Sequence, residues 1–235
     1  MPRKFEGPLL NDRLISTRKW YQNLPLAYDP DYLVFMDDFT GIALDTSKDW
    51  TLLKDGAATV DIATDTQHGE VIFTSQASTN DSGGSIQGNE IYLPTASKEL
   101  WFEARVKGST ANDMEMYVGL SENFDTNAEN VLTASNRIGF QVDDGNASLI
   151  CKSEATNVET SLDSQKDLED ATYVLLGFHI ISNTRIDYFV DRVLVATITT
   201  NIPSTEMALA LFELSGSASG TRSMTVDYIM CIVQR

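Results

Sequence analysis

The stretch Leu100-Trp101-Phe102-Glu103-Ala104-Arg105-Val106-Lys107 decides the fold class. Leu100, Phe102, Ala104 and Val106 share one parity, and Trp101, Glu103, Arg105 and Lys107 share the other. A period of two is that of a β-strand with one face on a core and one turned outward. The same pattern follows at once. Met114, Met116, Val118 and Leu120 alternate with Glu115, Tyr117, Gly119 and Ser121, and Ile138, Phe140 and Val142 alternate with Arg137, Gln141 and Asp143.

Turn chemistry supports the reading on both sides of this block. Asp143-Asp144-Gly145-Asn146 leads into Ala147–Cys151, and an Asp-Gly step between two alternating runs is a hairpin signal because Gly accepts positive φ. A second hairpin is expected over 186–195, turning near Asp191-Arg192. Tyr173–Ile181 is apolar on both parities and reads as a central strand buried on both sides. Met207–Leu214 and Met224–Val233 close the series, and Leu33–Phe35, Thr59–Ile62, Glu70–Ser75 and Ser85–Leu93 open it. Thr126–Ser135 is expected to hold one short helical turn. About a dozen short strands with frequent turns predict an all-β antiparallel sandwich or barrel. No repeat of propeller or solenoid length is present.

The 235 residues carry 17 Lys+Arg against 34 Asp+Glu, a net charge of −17, with 42% hydrophobic residues. That is too apolar for a disordered acidic tail. A charge of this sign repels nucleic acid and anionic membrane alike. The distribution is uneven. Residues 1–20 hold Arg3, Lys4, Arg13, Arg18 and Lys19 against Glu6 and Asp12, a balance of +3, which leaves −20 for the rest. Trp20, Tyr21, Leu24, Leu26 and Tyr28 follow, broken by Pro25 and Pro30 and without strand or helix period. Residues 1–31 therefore read as an extended arm that packs on its own body or on a neighbour, and residues 32–235 as the β-domain. Met1–Leu10 has no apolar run of signal-peptide length, and no segment approaches a membrane span. Cys151 and Cys231 read as reduced core thiols, and His68 and His179 have no ligand partner at metal-site spacing.

Three pieces resemble the concanavalin A-like (laminin G/lectin/laminarinase) jelly rolls. Phe35-Met36-Asp37-Asp38-Phe39-Thr40-Gly41 followed by Trp50 resembles the opening of such domains. Leu100–Lys107 with Met116–Leu120 is similar to their central strands. Tyr188-Phe189-Val190-Asp191, followed by the closing Val226-Asp227-Tyr228-Ile229, is similar to their last hairpin and last strand, with Arg192 where that hairpin usually carries Gly. The resemblance implies a concanavalin A-like jelly roll over residues 32–235. A preceding arm and no signal peptide also resemble virion proteins of tailed bacteriophages, namely capsid decoration (cement) proteins and appendages.

The family's enzymes place carboxylates in an E-x-D-x-x-E pattern on one strand, and no strand here carries it. The expectation is therefore a non-enzymatic virion structural protein made in the host cytoplasm, bound to the capsid surface through the major capsid protein and copies of itself, with a trimer favoured. Arg3, Lys4, Arg13, Arg18, Lys19, Trp20, Tyr21 and Tyr28 would be its partner-binding residues. The alternatives are a lectin-like module or host-adhesion appendage with Trp101 and Tyr117 as glycan platforms, and a divergent glycosidase acting through Glu103 or Glu115. No cofactor is required. The resemblance also admits a calcium ion tying the first strand to the last through Asp38 and Asp227.

Overall fold

Residues 31–63, 69–76, 83–123, 127–216 and 220–235 are described by a computed structural model of the chain. In chain order the strands are β1 (Tyr32–Asp37), β2 (Thr51–Asp55), β3 (Thr59–Ile62), β4 (Val71–Ser75), β5 (Gly83–Gln87), β6 (Glu99–Gly108), β7 (Met114–Ser121) and β8 (Arg137–Val142). They continue with β9 (Ser148–Ala155), β10 (Val158–Asp167), β11 (Val174–Ile181), β12 (Arg185–Val190), β13 (Val193–Ile198), β14 (Ala208–Ser215) and β15 (Arg222–Gln234). One sheet has eight strands in the order β13-β12-β11-β6-β15-β4-β3, with β1 also beside β15. The other has seven, in the order β10-β9-β8-β7-β14-β5-β2. The paired strands are antiparallel, and the expected all-β sandwich of jelly-roll type is what forms.

The core lies between the sheets, and the alternation in the sequence builds it. Leu100, Phe102, Ala104 and Val106 face Met116, Val118, Leu120, Ile138 and Phe140, all buried. Aromatic rings run through the layer. Phe102 stacks on Phe178 at 4.6 Å between centroids, Phe178 leans on Tyr188 at 5.9 Å, and Tyr188 meets Phe140 edge-on at 5.3 Å. The Tyr188 hydroxyl crosses the sandwich and donates to the Lys152 carbonyl in β9 at 2.6 Å, which satisfies a polar group that burial would otherwise penalise. Cys151 and Cys231 are buried free thiols, and burial pushes the Cys151 thiol up to about 12.

The opening and closing motifs are structural devices. Asp37 accepts the Phe39 amide at 2.8 Å and the Trp50 indole at 2.7 Å, pinning the first loop to the core edge. A bulge between Val226 and Tyr228 falls where the neighbour of β15 changes from β4 to β1. At the Asp191-Arg192 turn both residues have positive φ, 49° and 64°. Arg192 tolerates a conformation that favours glycine because its guanidinium makes two 3.3 Å contacts with the buried Glu103 carboxylate.

Most expected strands form within a residue or two of their predicted bounds. Ser85–Leu93 is shorter than expected: the strand ends at Gln87, and Tyr92 makes only an isolated bridge to Met207. β2 and β10 were not expected at all. Both are edge strands, and β10 (VETSLDSQKD) is exposed at most positions, so it has no apolar period to read. The helical turn expected in 126–135 is a short 3-10 segment, Ala128–Thr133. The arm residues Arg3, Lys4, Arg13, Arg18, Lys19, Trp20, Tyr21 and Tyr28 lie outside the described residues.

Candidate active site

The outer face of the seven-stranded sheet is divided in two. Toward β5 and β2 it is apolar, with Tyr117, Ala210, Phe212 and Leu214 covered by Ala128 and Val131 of the 3-10 segment. The segment is held there by its first amide, since Ala128 N–H donates to Asp55 Oδ2 at 2.7 Å. Gly119 and Gly139 face each other in register, and a Cβ on Gly139 would sit 3.0 Å from the Tyr117 ring. The missing side chain lets that ring lie flat along the sheet, where its hydroxyl donates to Leu120 O at 2.7 Å.

Toward β8, β9 and β10 the face is polar and connected. Arg137 donates through Nε to Glu154 at 2.8 Å, through Nη2 to Glu159 at 3.0 Å and through Nη1 to Gln141 at 3.2 Å. Lys152 reaches the same Glu159 oxygen at 3.2 Å. Gln141 uses its amide nitrogen to hold Asp143. A hydrogen-bonded line thus runs from the β9–β10 hairpin along β8 and ends on the Asp143 carboxylate.

Glu115 stands beside that end. It is on β7, on the same parity as Tyr117 and half-buried. Its carboxyl is pushed above the ordinary glutamate range, first by desolvation and then by the negative fields of Asp143, Asp144 and Glu129. Arg137 is engaged with Glu154, Glu159 and Gln141, further along β8. The result is a pair of carboxyls with unlike environments: Glu115 retains a proton more readily, while Asp143 accepts a hydrogen bond from Gln141. Such a pair can divide acid and base duties between its members.

The expected site residues fall elsewhere. Tyr117 is fully buried beneath the 3-10 segment, and Trp101 is 3% exposed on the opposite sheet. Neither offers a ring face to a sugar, and the two are not brought together. Asp38 is exposed and accepts a hydrogen bond from Thr40, whereas Asp227 is paired with Arg105 at 2.6 Å. Among the described residues no group of three or more His, Cys, Asp or Glu side chains is arranged to hold a metal ion. Glu103 is buried between Arg192 and the Tyr228 hydroxyl, a structural position. Of the two glutamates considered for a glycosidase, Glu115 alone lies with other carboxyls on an outer face.

No protein-family model matches the sequence, and no curated protein matches it. Solved structures do match. A protein of unknown function from Shewanella oneidensis MR-1 is similar over 90% of each chain, with a TM-score of 0.61 and 12% identity. A Bacteroides ovatus family 16 glycoside hydrolase from a mixed-linkage glucan system covers 83% of this chain and 98% of its own, at TM-score 0.59 and 15% identity. The catalytic domain of a Thermotoga petrophila RKU-1 laminarinase covers 87% and 99%, at TM-score 0.61 and 9% identity. The fold is that of the laminarinase-type, concanavalin A-like jelly rolls.

These neighbours overturn the expectation of a non-enzymatic virion structural protein. The matching structures include glucanases, a laminarinase and a transglycosylase. The physical reason for the error is local. A pattern along a single strand does not register acids carried by different strands, and the β7–β8 register brings Glu115 of β7 near Asp143, the residue after β8. At identities this low the likeness carries the fold, and activity has to be argued from this chain's own side chains.

Proposed function

We propose that this chain is a carbohydrate-active enzyme that breaks or transfers glycosidic bonds on the outer face of the seven-stranded sheet, with β-glucans as the first substrates to test. One observation carries the reading: beyond the Met116–Val142 pair, the β7–β8 register sets half-buried Glu115 across from the Gln141-held Asp143, where desolvation and acidic neighbours favour its protonated form. Protonated Glu115 gives its proton to the departing glycosidic oxygen. The Asp143 carboxylate, oriented by Gln141, faces the positive charge that develops at the anomeric carbon. The oxygen of an incoming water or sugar hydroxyl then bonds to the anomeric carbon while Glu115, now a carboxylate, takes its proton, which restores the starting protonation state. The fold neighbours support this choice of substrate, since their names include a mixed-linkage glucanase and a laminarinase.

The test is release of reducing ends from mixed-linkage glucan and laminarin. Turnover by the wild type is expected, with Glu115→Gln and Asp143→Asn each lowering kcat by roughly 10²–10⁴-fold while leaving Tm within a few degrees. Activity should fall as pH rises past the raised Glu115 pKa, because the proton donor is then lost. No turnover by the wild type, or full activity in Glu115→Gln, would overturn the reading.

A further inference from the structure

The outer face of the seven-stranded sheet is closed on one side of Glu115 and open on the other. From Glu115 the antiparallel register runs through Leu214 of β14 and Gly83 of β5 to Asp55 of β2. Leu214 is only 4% exposed. Its side chain lies over Gly83, where a Cβ would come within 2.9 Å of Leu214 Cδ1. Asp55 ends the rung by accepting the first amide of the 3-10 segment at 2.7 Å. The next rung repeats the pattern: Tyr117, Phe212 and Ser85 are fully buried, and Ala128 and Val131 of the segment pack against the two aromatics. The end of the strands is filled as well. Gly216 donates to Asp113 O at 2.8 Å, and a Cβ on Gly216 would collide with Asp144 Oδ1, so that carboxylate occupies the rim. Toward β10 the floor is different. Gln141 is in register with Ile150 and Ile150 with Asp163, and Lys152 with Ser161. Ile150 is half-buried, and Ser161 and Asp163 are exposed. A chain starting at Glu115 can therefore extend over three strand spacings on this side, about 14 Å, but over only one, about 5 Å, before the buried wall on the other.

We infer that, with Glu115 and Asp143 in the roles given above, on which this reading depends, cleavage takes place at chain ends: the terminal part of the glycan abuts the 3-10 segment, and the remainder lies over β8, β9 and β10. Cutting within a chain needs glycan on both sides of the scissile bond. Continuing past Glu115 toward β5 would mean lifting the segment that covers Tyr117, Phe212 and Leu214. That exposes three large apolar side chains to water, an unfavourable exchange for hydrogen bonds to a few more sugar hydroxyls. The wall also stands next to the proton donor. Glu129, in the first turn of the segment, is near enough for its charge to act on Glu115. The segment is thus the element that sets where along a glycan the bond is broken, and the polar floor of β9 and β10 holds the part of the chain that remains.

Digestion of mixed-linkage glucan and of laminarihexaose by the full chain tests this. Reducing ends are expected to accumulate while the remaining polymer keeps close to its starting molar mass, and one short product should dominate the hexaose digest from the first time point. A ladder of products with an early collapse of polymer mass overturns the inference and leaves the enzymatic reading standing. Seating is read separately, by NMR shift changes in Glu115→Gln, in which turnover is slowed, titrated with laminarihexaose. Changes are expected at Ile150, Lys152, Ser161 and Asp163 and should stop at the 3-10 segment. Changes that continue into Thr51–Asp55 of β2 mean that the chain crosses the wall, and they overturn the inference whether or not the wild type turns over. An inert wild type with one-sided shifts defeats the enzymatic reading and supports the one-sided seat, whereas no shift at any of these residues defeats both.

Discussion

The two outer faces of the sandwich each place a glutamate on a central strand, and the two glutamates have opposite surroundings. Glu103, on the eight-stranded sheet, is surrounded by donors: Arg192 and the Tyr228 hydroxyl both point at it. Glu115, on the seven-stranded sheet, is surrounded by acids. A buried carboxylate with donors holds structure, because removing either partner orphans the other. A half-buried carboxyl among acids costs stability in its charged form and gains a proton that chemistry can use. Alternation in the sequence turns both residues outward and does not distinguish them. The neighbours that come from distant strands do.

The largest expected effect tests the layer that both faces share. Phe102 of β6 and Phe140 of β8 are fully buried and belong to one run of aromatic contacts. Replacing either with Ala should cost about 3–5 kcal/mol in urea denaturation, by lost transfer free energy and the cavity left behind. A near-neutral result at either site would reverse the assignment of inner and outer parity, and the contrast between the glutamates would go with it. The comparison itself is sharpened by the isosteric pair Glu103→Gln and Glu115→Gln. The first should destabilise by about 1–3 kcal/mol, since it removes the charge that Arg192 and Tyr228 converge on. The second should be neutral or slightly stabilising at pH 7, because it removes a charge that its neighbours disfavour. Equal effects at the two sites would break the distinction.

Much of this was legible in the sequence, and what was missed has physical causes. The central strands β6, β7, β8 and β14 announce themselves because one parity is buried along their whole length. The Asp191-Arg192 turn is legible from the hairpin pattern, although the reason Arg replaces Gly is not, because its partner Glu103 lies on a different strand. β10 is illegible: an exposed edge strand makes its ladder with β9 and needs no apolar period. Missing β10 hides the Arg137–Glu154–Glu159 cluster, whose carboxylates come from β9 and β10. The same limit hid Asp143 as the companion of Glu115, which the sequence had offered as a glycosidase candidate. Each reads as an ordinary outward acid on its own strand, and only the β7–β8 pairing makes them neighbours. Trp101 and Tyr117 were correctly read as outward, yet both are covered, and covering is a tertiary property.

A third carboxyl, Glu213, turns inward and adds a pH dependence that belongs to neither face. It is buried on β14, with Ser75 donating to one of its oxygens at 2.7 Å. Desolvation outweighs that hydrogen bond and the field of Arg222, raising its pKa to about 8. The folded state therefore binds this proton more tightly than the unfolded state, whose pKa is near 4.5. Stability is greatest below the unfolded value, falls as pH rises from about 4.5 toward 8, and levels off above that. The slope contributed is at most about 1.4 kcal/mol per pH unit. Chemical denaturation at pH 5, 6, 7 and 8 should show the decline, and Glu213→Gln should flatten it. A wild type whose stability rises across this interval would contradict the burial assigned to Glu213.

The smallest effect is expected at the border of the eight-stranded face. Arg185 holds Asp187 through two contacts of 2.8 and 2.5 Å, the geometry of a strong ion pair. Half of the Arg185 side chain is nevertheless exposed, and Asp187 keeps a 2.7 Å hydrogen bond from Thr197 when the arginine is gone. Solvent screens the exposed partner, and the remaining donor limits the penalty on the buried one, so Arg185→Ala should cost about 0–1 kcal/mol. Arg137→Ala on the other face removes a guanidinium only 6% exposed from between Glu154 and Glu159. That loss should be several-fold larger, because two carboxylates in a partly desolvated site are left facing each other. Measured side by side at two salt concentrations, the Arg185 effect should shrink with added salt while most of the Arg137 effect persists. Equal losses, or equal salt dependence, would mean that burial does not set the worth of charge on these faces.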